Sequence, residues 1–481
     1  MSRNFIYLLI GRILQGVIGI IAVKMVTKFL SQKELGIYYL IGTFVSLYGL
    51  FLAGPVGQYF NRKTIQWYEG KELLSKLFTL IAYFLAAIFV FIAILYVTDL
   101  AGFSISDKGW WATLPVICLG GFFNALIGTS TGIFNFINKR LVFVILNNLT
   151  LGSSLLTSVA LVHYFGAGGE LWYWGQVISQ GFFCIVALIL LRRLLDEKHV
   201  FIATRHSIRG ANYRRIFDFC WPLAIVTFFT WTYSDSYRIF AKISIGLEFL
   251  ALIGVGLTIS LSIASVFESL FQQIYFPIYY RNISNADEQR RTIAFEDLLS
   301  KSIPVYFLVA LYVTAMSNGI TRFLTNEKYL AASLFLVFGI WINFFRMVSN
   351  VASLAMHAEY KTRHLIKAFM IGGIFNFSGL YWIAKMPYHP QWGFPVVLLI
   401  TGIIMLVNVL KDARRLVEYN LFHILRRIWK PLLLGTLFFI PEYGVGIVYD
   451  SFLKSVVTVG GMGVFFLGIL WFMYKNEIKS E

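Results

Sequence analysis

Charge is scarce in this sequence. Asp, Glu, Lys and Arg supply 14% of the 481 residues, against about a quarter in soluble domains. Acid is scarcest: 24 Asp and Glu stand against 41 Lys and Arg. None lies between Glu72 and Asp99, or between Asp107 and Glu170. Cysteine is nearly missing too. Cys118, Cys184 and Cys220 lie far apart in or beside apolar stretches. That spacing excludes a disulfide framework, a CxxC redox pair and a Cys/His metal site. The three read as buried thiols, inert in that setting. Neither a metal-ligand set nor a cofactor motif is expected, and no His/Asp/Glu constellation marks a catalytic residue. A membrane polymerase or ligase would need such a constellation on an outer loop, and the outer loops are short.

What is present is apolar sequence. Hydrophobic residues make up 58% and aromatics 17%, with a mean hydropathy of +0.72. A bilayer span needs about 20 mostly apolar residues. Fourteen segments qualify: 5–30, 36–60, 77–97, 111–137, 141–165, 172–191, 216–241, 249–277, 302–324, 331–356, 365–385, 392–410, 431–449 and 455–474. The segment 431–449 holds Pro441 and Glu442 and also reads as a broken helix. The first span, with one Arg before it and no small-residue cleavage site after it, reads as retained rather than as a signal peptide. The fold class expected is all-α, a polytopic membrane protein of about 14 helices.

The net charge of +17 follows from topology, so nucleic acid is not an expected partner. With the N-terminus inside, 29 of the 41 Lys and Arg fall on inner segments and six on outer loops. That bias places both termini in the cytoplasm. The basic inner segments then face the anionic lipid surface of the bilayer. The longest inner loop, 192–215, is the natural connector between a six-helix lobe at 1–191 and a second at 216–410. A basic segment at 411–430 is expected to lie as an amphipathic helix on the inner surface. Two extra helices and a cytoplasmic tail fill 431–481.

The two lobes echo each other. Lys24, Lys28 and Glu34 are followed at an offset of 214 by Arg238, Lys242 and Glu248. Gly42 and Ser46 match Gly256 and Ser260 at the same offset. Spans one and seven run in the same direction, so the duplication is a parallel repeat. Transporters built this way place the substrate between the halves.

Several spans carry polar stripes at helical spacing. Span seven has Thr227, Trp231, Ser234, Asp235, Arg238 and Lys242. Span eight has Thr258, Ser262, Ser265, Ser269 and Gln272, with Glu268 at the edge. Span ten has Asn343, Arg346, Asn350, Ser353 and His357. In span one, Arg12, Gln15, Gly16 and Gly19 share a face. Ser, Thr and Asn in such stripes also serve as helix–helix glue. Charges argue further, because an Arg at mid-bilayer costs about 2.5 kcal/mol or more unless it faces protein or water. Arg12, Lys24, Arg238 and Arg346, with Gln15 and Asn343, are the candidate substrate contacts. Asp235 and Glu268 are the candidates for carrying a coupling ion. Each has a bland counterpart: Lys24 and Lys28 suit snorkelling to the outer interface, and Arg238 suits a structural pair with Asp235.

The stretch KFLSQKELGIYYL, followed by GPVGQYFNRKTIQWYEGK at 54–71, resembles the start of Wzx-type polysaccharide flippases. These belong to the superfamily that also holds drug/cation antiporters and lipid II flippases. The resemblance is local to about residues 5–80, with an echo at Arg238–Glu248. It implies two six-helix lobes around a central cavity, plus two helices that contact lipid. It implies a cargo of undecaprenyl-pyrophosphate-linked glycan, an O-antigen or capsule/exopolysaccharide repeat unit, flipped from inner to outer leaflet of a bacterial inner membrane. A polysaccharide polymerase and a chain-length regulator are partners it suggests. By position, Lys24 and Arg238 would be cavity cations that engage the pyrophosphate. The competing expectation is a cation-coupled drug or small-molecule antiporter of the same superfamily. That activity needs a titratable carboxylate, for which only Asp235 and Glu268 are placed.

Overall fold

The computed structural model describes residues 3–100, 109–195, 213–283, 287–358, 363–386, 391–426 and 428–478. These residues are almost entirely helical, without strand among them. Thirteen segments are long and apolar enough to cross a bilayer. The chain is an all-α, multi-pass membrane protein. It divides into two units, Met1–Ala251 and Leu252–Glu481.

The first unit contains α1 (Arg3–Phe29), α2 (Gln32–Leu47), α3 (Gly54–Glu69), α4 (Leu73–Leu100), α5 (Trp110–Phe136), α6 (Arg140–Phe165) and α7 (Gly169–Leu194). It also contains α8 (Tyr213–Ser234), α9 (Tyr237–Ser244) and the start of α10 (Leu247–Ile283). The expected second span is one long rod of α2 and α3, joined by a π-helical stretch at Tyr48–Ala53. Such wide turns recur at functional sites in helices. Here Tyr48 donates from its hydroxyl to the Phe84 carbonyl at 2.6 Å, and Tyr83 donates to the Leu52 carbonyl at 2.9 Å. The α4 rod therefore holds the irregular stretch from the side.

The KELG sequence has a local physical reason. Ser31 caps α2, its Oγ accepting from the Glu34 amide at 3.2 Å. Glu34 in turn accepts from the Gly169 amide at 2.7 Å, at the first turn of α7. A carboxylate there satisfies an orphan N–H and meets the positive end of the helix. Gly36 lies against the Leu247 carbonyl, which a Cβ would approach to 2.4 Å. The second copy of the motif shows the same break. Cation-bearing α9 ends at Ser244, and α10 restarts at Leu247 just before Glu248. Ser46 and Ser260 each donate to the carbonyl three residues back, Thr43 and Leu257.

A few Ser and Thr residues act as helix–helix glue, while stripe residues such as Thr227, Ser262 and Ser265 bond within their own helices. On the α6–α7 seam, Thr157 donates to the Gly175 carbonyl and Ser158 to that of Trp172, each at 2.7 Å. Ser153 pairs with Ser179. Gly175 allows that approach, since a Cβ on it would lie 2.4 Å from the Ser158 backbone.

The second unit holds the rest of α10, then α11 (Glu288–Ala315), α12 (Ser317–Leu324), α13 (Ala332–Ala352), α14 (Leu354–Ala358), α15 (Arg363–Lys385) and α16 (Gly393–Arg414). After these come α17 (Leu421–Arg426), α18 (Trp429–Thr436) and α19 (Phe452–Ile478). One expectation changes here and another is met. The segment 411–430 is not one amphipathic helix. Its first residues extend α16, and only α17 and the first residues of α18 are helical beyond it. The reason is anchoring to α11: the Asn420 amide donates to Glu296 at 2.6 Å, and the Tyr419 ring meets Phe295 at 5.4 Å. The segment 431–449 is broken, as Pro441 suggests. It runs from α18 through a 3₁₀ turn at Leu437–Phe439 and a wide turn at Ile440–Gly444, then becomes irregular. Of the 192–215 connector, residues 196–212 lie outside the described residues.

Candidate functional site

The structure gathers the predicted residues into three separate groups. The first lies in unit one, where span seven is interrupted. Helix α8 stops at Ser234 and α9 starts at Tyr237, so Asp235 and Ser236 form a two-residue turn. Trp231, one turn earlier, donates from Nε1 to the Thr43 carbonyl at 2.9 Å and fixes α8 against α2. The turn keeps Asp235 and Arg238 on one side. Arg238 Nη1 lies 2.8 Å from Asp235 Oδ1, with side-chain exposures of 16% and 14%. Ser234 donates to the other carboxylate oxygen at 2.6 Å. Arg238 Nε donates to the Tyr237 hydroxyl at 3.2 Å. The guanidinium stands 5.4 Å from the ring centre of Tyr39 and 5.5 Å from that of Tyr237. Tyr38 packs on both Tyr39 and Tyr173, with ring centres 5.5 and 5.7 Å apart, and its hydroxyl accepts from Gln176 at 3.1 Å.

The second group is in unit two. Arg346 Nη2 lies 2.9 Å from Glu268 Oε2, the two side chains being 28% and 9% exposed. Glu268 Oε1 accepts from Asn350 at 2.7 Å and from Gln272 at 3.3 Å. Arg346 Nε donates to Asn343 Oδ1 at 3.0 Å. Asn343 passes the network on, donating to the Ser260 hydroxyl at 3.1 Å and the Gly339 carbonyl at 2.9 Å. The stripes of spans eight and ten thus meet face to face, and Glu268 is the point where their donors converge.

The third group is Arg12 with Gln15, joined by a bond of 3.1 Å on an exposed part of α1. Lys24 lies half-buried on the same helix. Because α1 is unbroken, twelve residues put Lys24 about 18 Å along the axis from Arg12. The two do not share one phosphate. Lys28 is exposed, 5.8 Å from the Phe29 ring centre.

Sequence reasoning missed the tyrosines. Tyr38 and Tyr39 stand inside the very motif that carries the resemblance, and Tyr237 adjoins Arg238. Aromatics beside a membrane cation were the available signal. Also missed was the Glu268–Arg346 pair, although both residues were candidates.

Neither a family model nor a curated protein sequence matches this chain. Solved structures do. Lipid II flippase MurJ in an inward closed conformation is 16% identical, with a TM-score of 0.67 and 99% of both chains covered. An inward-facing MATE multidrug resistance transporter of the MOP superfamily is 11% identical, with a TM-score of 0.55, covering 89% of this chain and 96% of its own. A MOP superfamily transporter from Pyrococcus furiosus, described by the reverse polarity of its binding pocket, is 12% identical, with a TM-score of 0.52, covering 85% and 94%. At such identities the likeness is one of fold: this chain has the architecture of the lipid II flippase MurJ and of the MATE transporters.

Proposed function

We propose that the chain is a flippase for a lipid-linked oligosaccharide, carrying an undecaprenyl-pyrophosphate-bound repeat unit of O-antigen, capsule or exopolysaccharide across a bacterial inner membrane. The observation that carries this reading is the extent of the fold match. The flippase match covers 99% of this chain, whereas the MATE and Pyrococcus furiosus transporter matches cover 89% and 85%. The shortfall is comparable to the segment beyond α16.

The chemistry supports the same reading. Arg346 and Lys24 are the cations to engage the pyrophosphate, the Arg through paired N–H donors and the Lys as a point charge. An arriving phosphate would compete with Glu268 for Arg346, while Asn350 and Gln272 continue to hold the released carboxylate.

The test is complementation of a strain whose own copy is deleted. Lys24→Ala and Arg346→Ala should each abolish surface glycan when it is scored per amount of protein recovered in the membrane. Normal glycan in both variants would overturn the assignment. One observation favours a second reading, a cation-coupled antiporter: Arg238 and Arg346 each face a carboxylate, Asp235 or Glu268, and such a group can carry a coupling ion. Organic-cation efflux lost on Glu268→Gln, with surface glycan unchanged by loss of the gene, would establish that activity instead.

A further inference from the structure

The group around Arg238 has the composition of a receptor for a cation. Such receptors combine a carboxylate with the negative faces of aromatic rings, each ring contact being worth about 0.5–2 kcal/mol according to its desolvation. Here the carboxylate of Asp235 is held from behind by Ser234. Tyr39 and Tyr237 stand within 5.5 Å of the cation, and Tyr38 with Tyr173 extend the aromatic wall. Gly42 flanks the cation on a further side. A Cβ built on it would be 4.0 Å from both Arg238 Nη1 and the Tyr173 ring, ordinary contact without pressure. All of these residues belong to one unit.

We propose that this cage is a binding site for a small monovalent organic cation of the guanidinium or quaternary ammonium class, and that Arg238 is its tethered occupant. The proposal makes Arg238 a specificity determinant. A tethered group is present at an effective concentration of at least about millimolar. It also keeps its pairing geometry, since Arg238 and Asp235 are one turn apart. A free cation of ordinary affinity cannot displace it, so the wild-type cage is closed to soluble cations. This does not depend on what the protein carries. It concerns what the cage refuses.

Vacating the cage tests the idea. The full-length protein is purified in detergent as wild type, Arg238→Ala, Arg238→Gln, and each of these combined with Asp235→Asn. Thermal unfolding is followed in methylguanidinium and, separately, in tetramethylammonium. Removing Arg238 leaves a mostly buried carboxylate unpaired, so both single variants should melt lower than wild type. A ligand that binds only the folded state then raises the melting temperature with concentration. The expected result is a saturable rise in Arg238→Ala or Arg238→Gln with a midpoint of about 1 mM for an exposed-to-half-buried cation site, absent from wild type and lost with Asp235→Asn. The proposal is overturned if no monodisperse single variant shows a saturable rise. It is equally overturned if wild type or the Asp235→Asn combinations show the same rise, in which case Arg238 is only a structural partner of Asp235.

Discussion

Arg346→Ala should be among the most destabilising single changes on α13, and changing Glu268 as well should recover much of the loss. The guanidinium lies 2.9 Å from a carboxylate that is 9% exposed. At an effective dielectric of 20, two unit charges about 4 Å apart attract by about 4 kcal/mol. Removing one partner of a buried pair typically costs about 3–5 kcal/mol, because the other charge stays desolvated and uncompensated. Two features lower the expectation to about 3 kcal/mol. Arg346 itself is 28% exposed, and Glu268 keeps the Asn350 and Gln272 donors. In Arg346→Ala/Glu268→Gln the amide can still accept from Asn350, and no charge remains. The double variant should therefore lose less than the sum of the single variants, with a coupling of about 1.5–3 kcal/mol. Reversible unfolding in mixed micelles, followed by far-UV circular dichroism, measures all four corners of the cycle. A coupling within about 0.5 kcal/mol of zero would refute the claim that the two charges are paired and desolvated.

Other outcomes follow from the same packing. Gly175→Ala should weaken the α6–α7 seam by more than about 2 kcal/mol, an overpacking loss, since its Cβ would meet the Ser158 backbone at 2.4 Å. Gly49→Ala meets nothing within 4 Å and should be neutral or stabilising by about 0.5–1 kcal/mol; thermal melts of the two compare them directly. Trp231→Phe should cost about 1 kcal/mol by removing the bond to the Thr43 carbonyl, read in the same melts. Cys118, Cys184 and Cys220 are all buried and free, so a maleimide should label none in the folded protein and three after denaturation, counted by mass spectrometry. Under the flippase reading, Glu268→Gln should tighten binding of a pyrophosphate lipid to the purified protein by about three- to tenfold (about 0.7–1.4 kcal/mol); unchanged or weaker binding in nanodiscs would contradict it.

The spans were legible because a bilayer writes its thickness into composition. The segments read at 77–97, 111–137 and 141–165 appear as Leu73–Leu100, Trp110–Phe136 and Arg140–Phe165. Breaks inside spans were harder to read. The wide turn at Tyr48–Ala53 adds no polar residue, and the turn at Asp235–Ser236 looks, in sequence, like one more step along a polar stripe. Pairing divides in the same way. Asp235 and Arg238 sit three residues apart on one chain segment, so closeness in sequence brings them together across the turn. Glu268 and Arg346 lie on different helices. Periodicity names the face each residue occupies but not the face opposite. For that reason periodicity does not reveal the Glu268–Arg346 pair, since Arg346 has no carboxylate within a turn of its own helix.

Under the flippase reading, that pairing changes the electrostatics of a phosphate site. A cavity lined by bare arginines would hold a phosphate too well and release it slowly, while its empty state would carry the full penalty of desolvated charge. An arginine already paired to a carboxylate avoids both problems. Its resting state is neutral as a unit, and an incoming phosphate gains only the difference between two similar charge-assisted bonds. Glu268 can reclaim Arg346 when the cargo leaves, because Asn350 and Gln272 keep it in place meanwhile. Tight positioning of the carboxylate therefore favours turnover over affinity, which is what a carrier requires. The same reasoning separates the two arginines. Arg346 has one carboxylate and amide neighbours, a setting open to exchange. Arg238 has its carboxylate and two aromatic faces as well, so an anion would have to overcome all three to draw it out. Under the flippase reading, Arg346 is therefore the cation to work on a phosphate, and Arg238 the one to stay with its carboxylate.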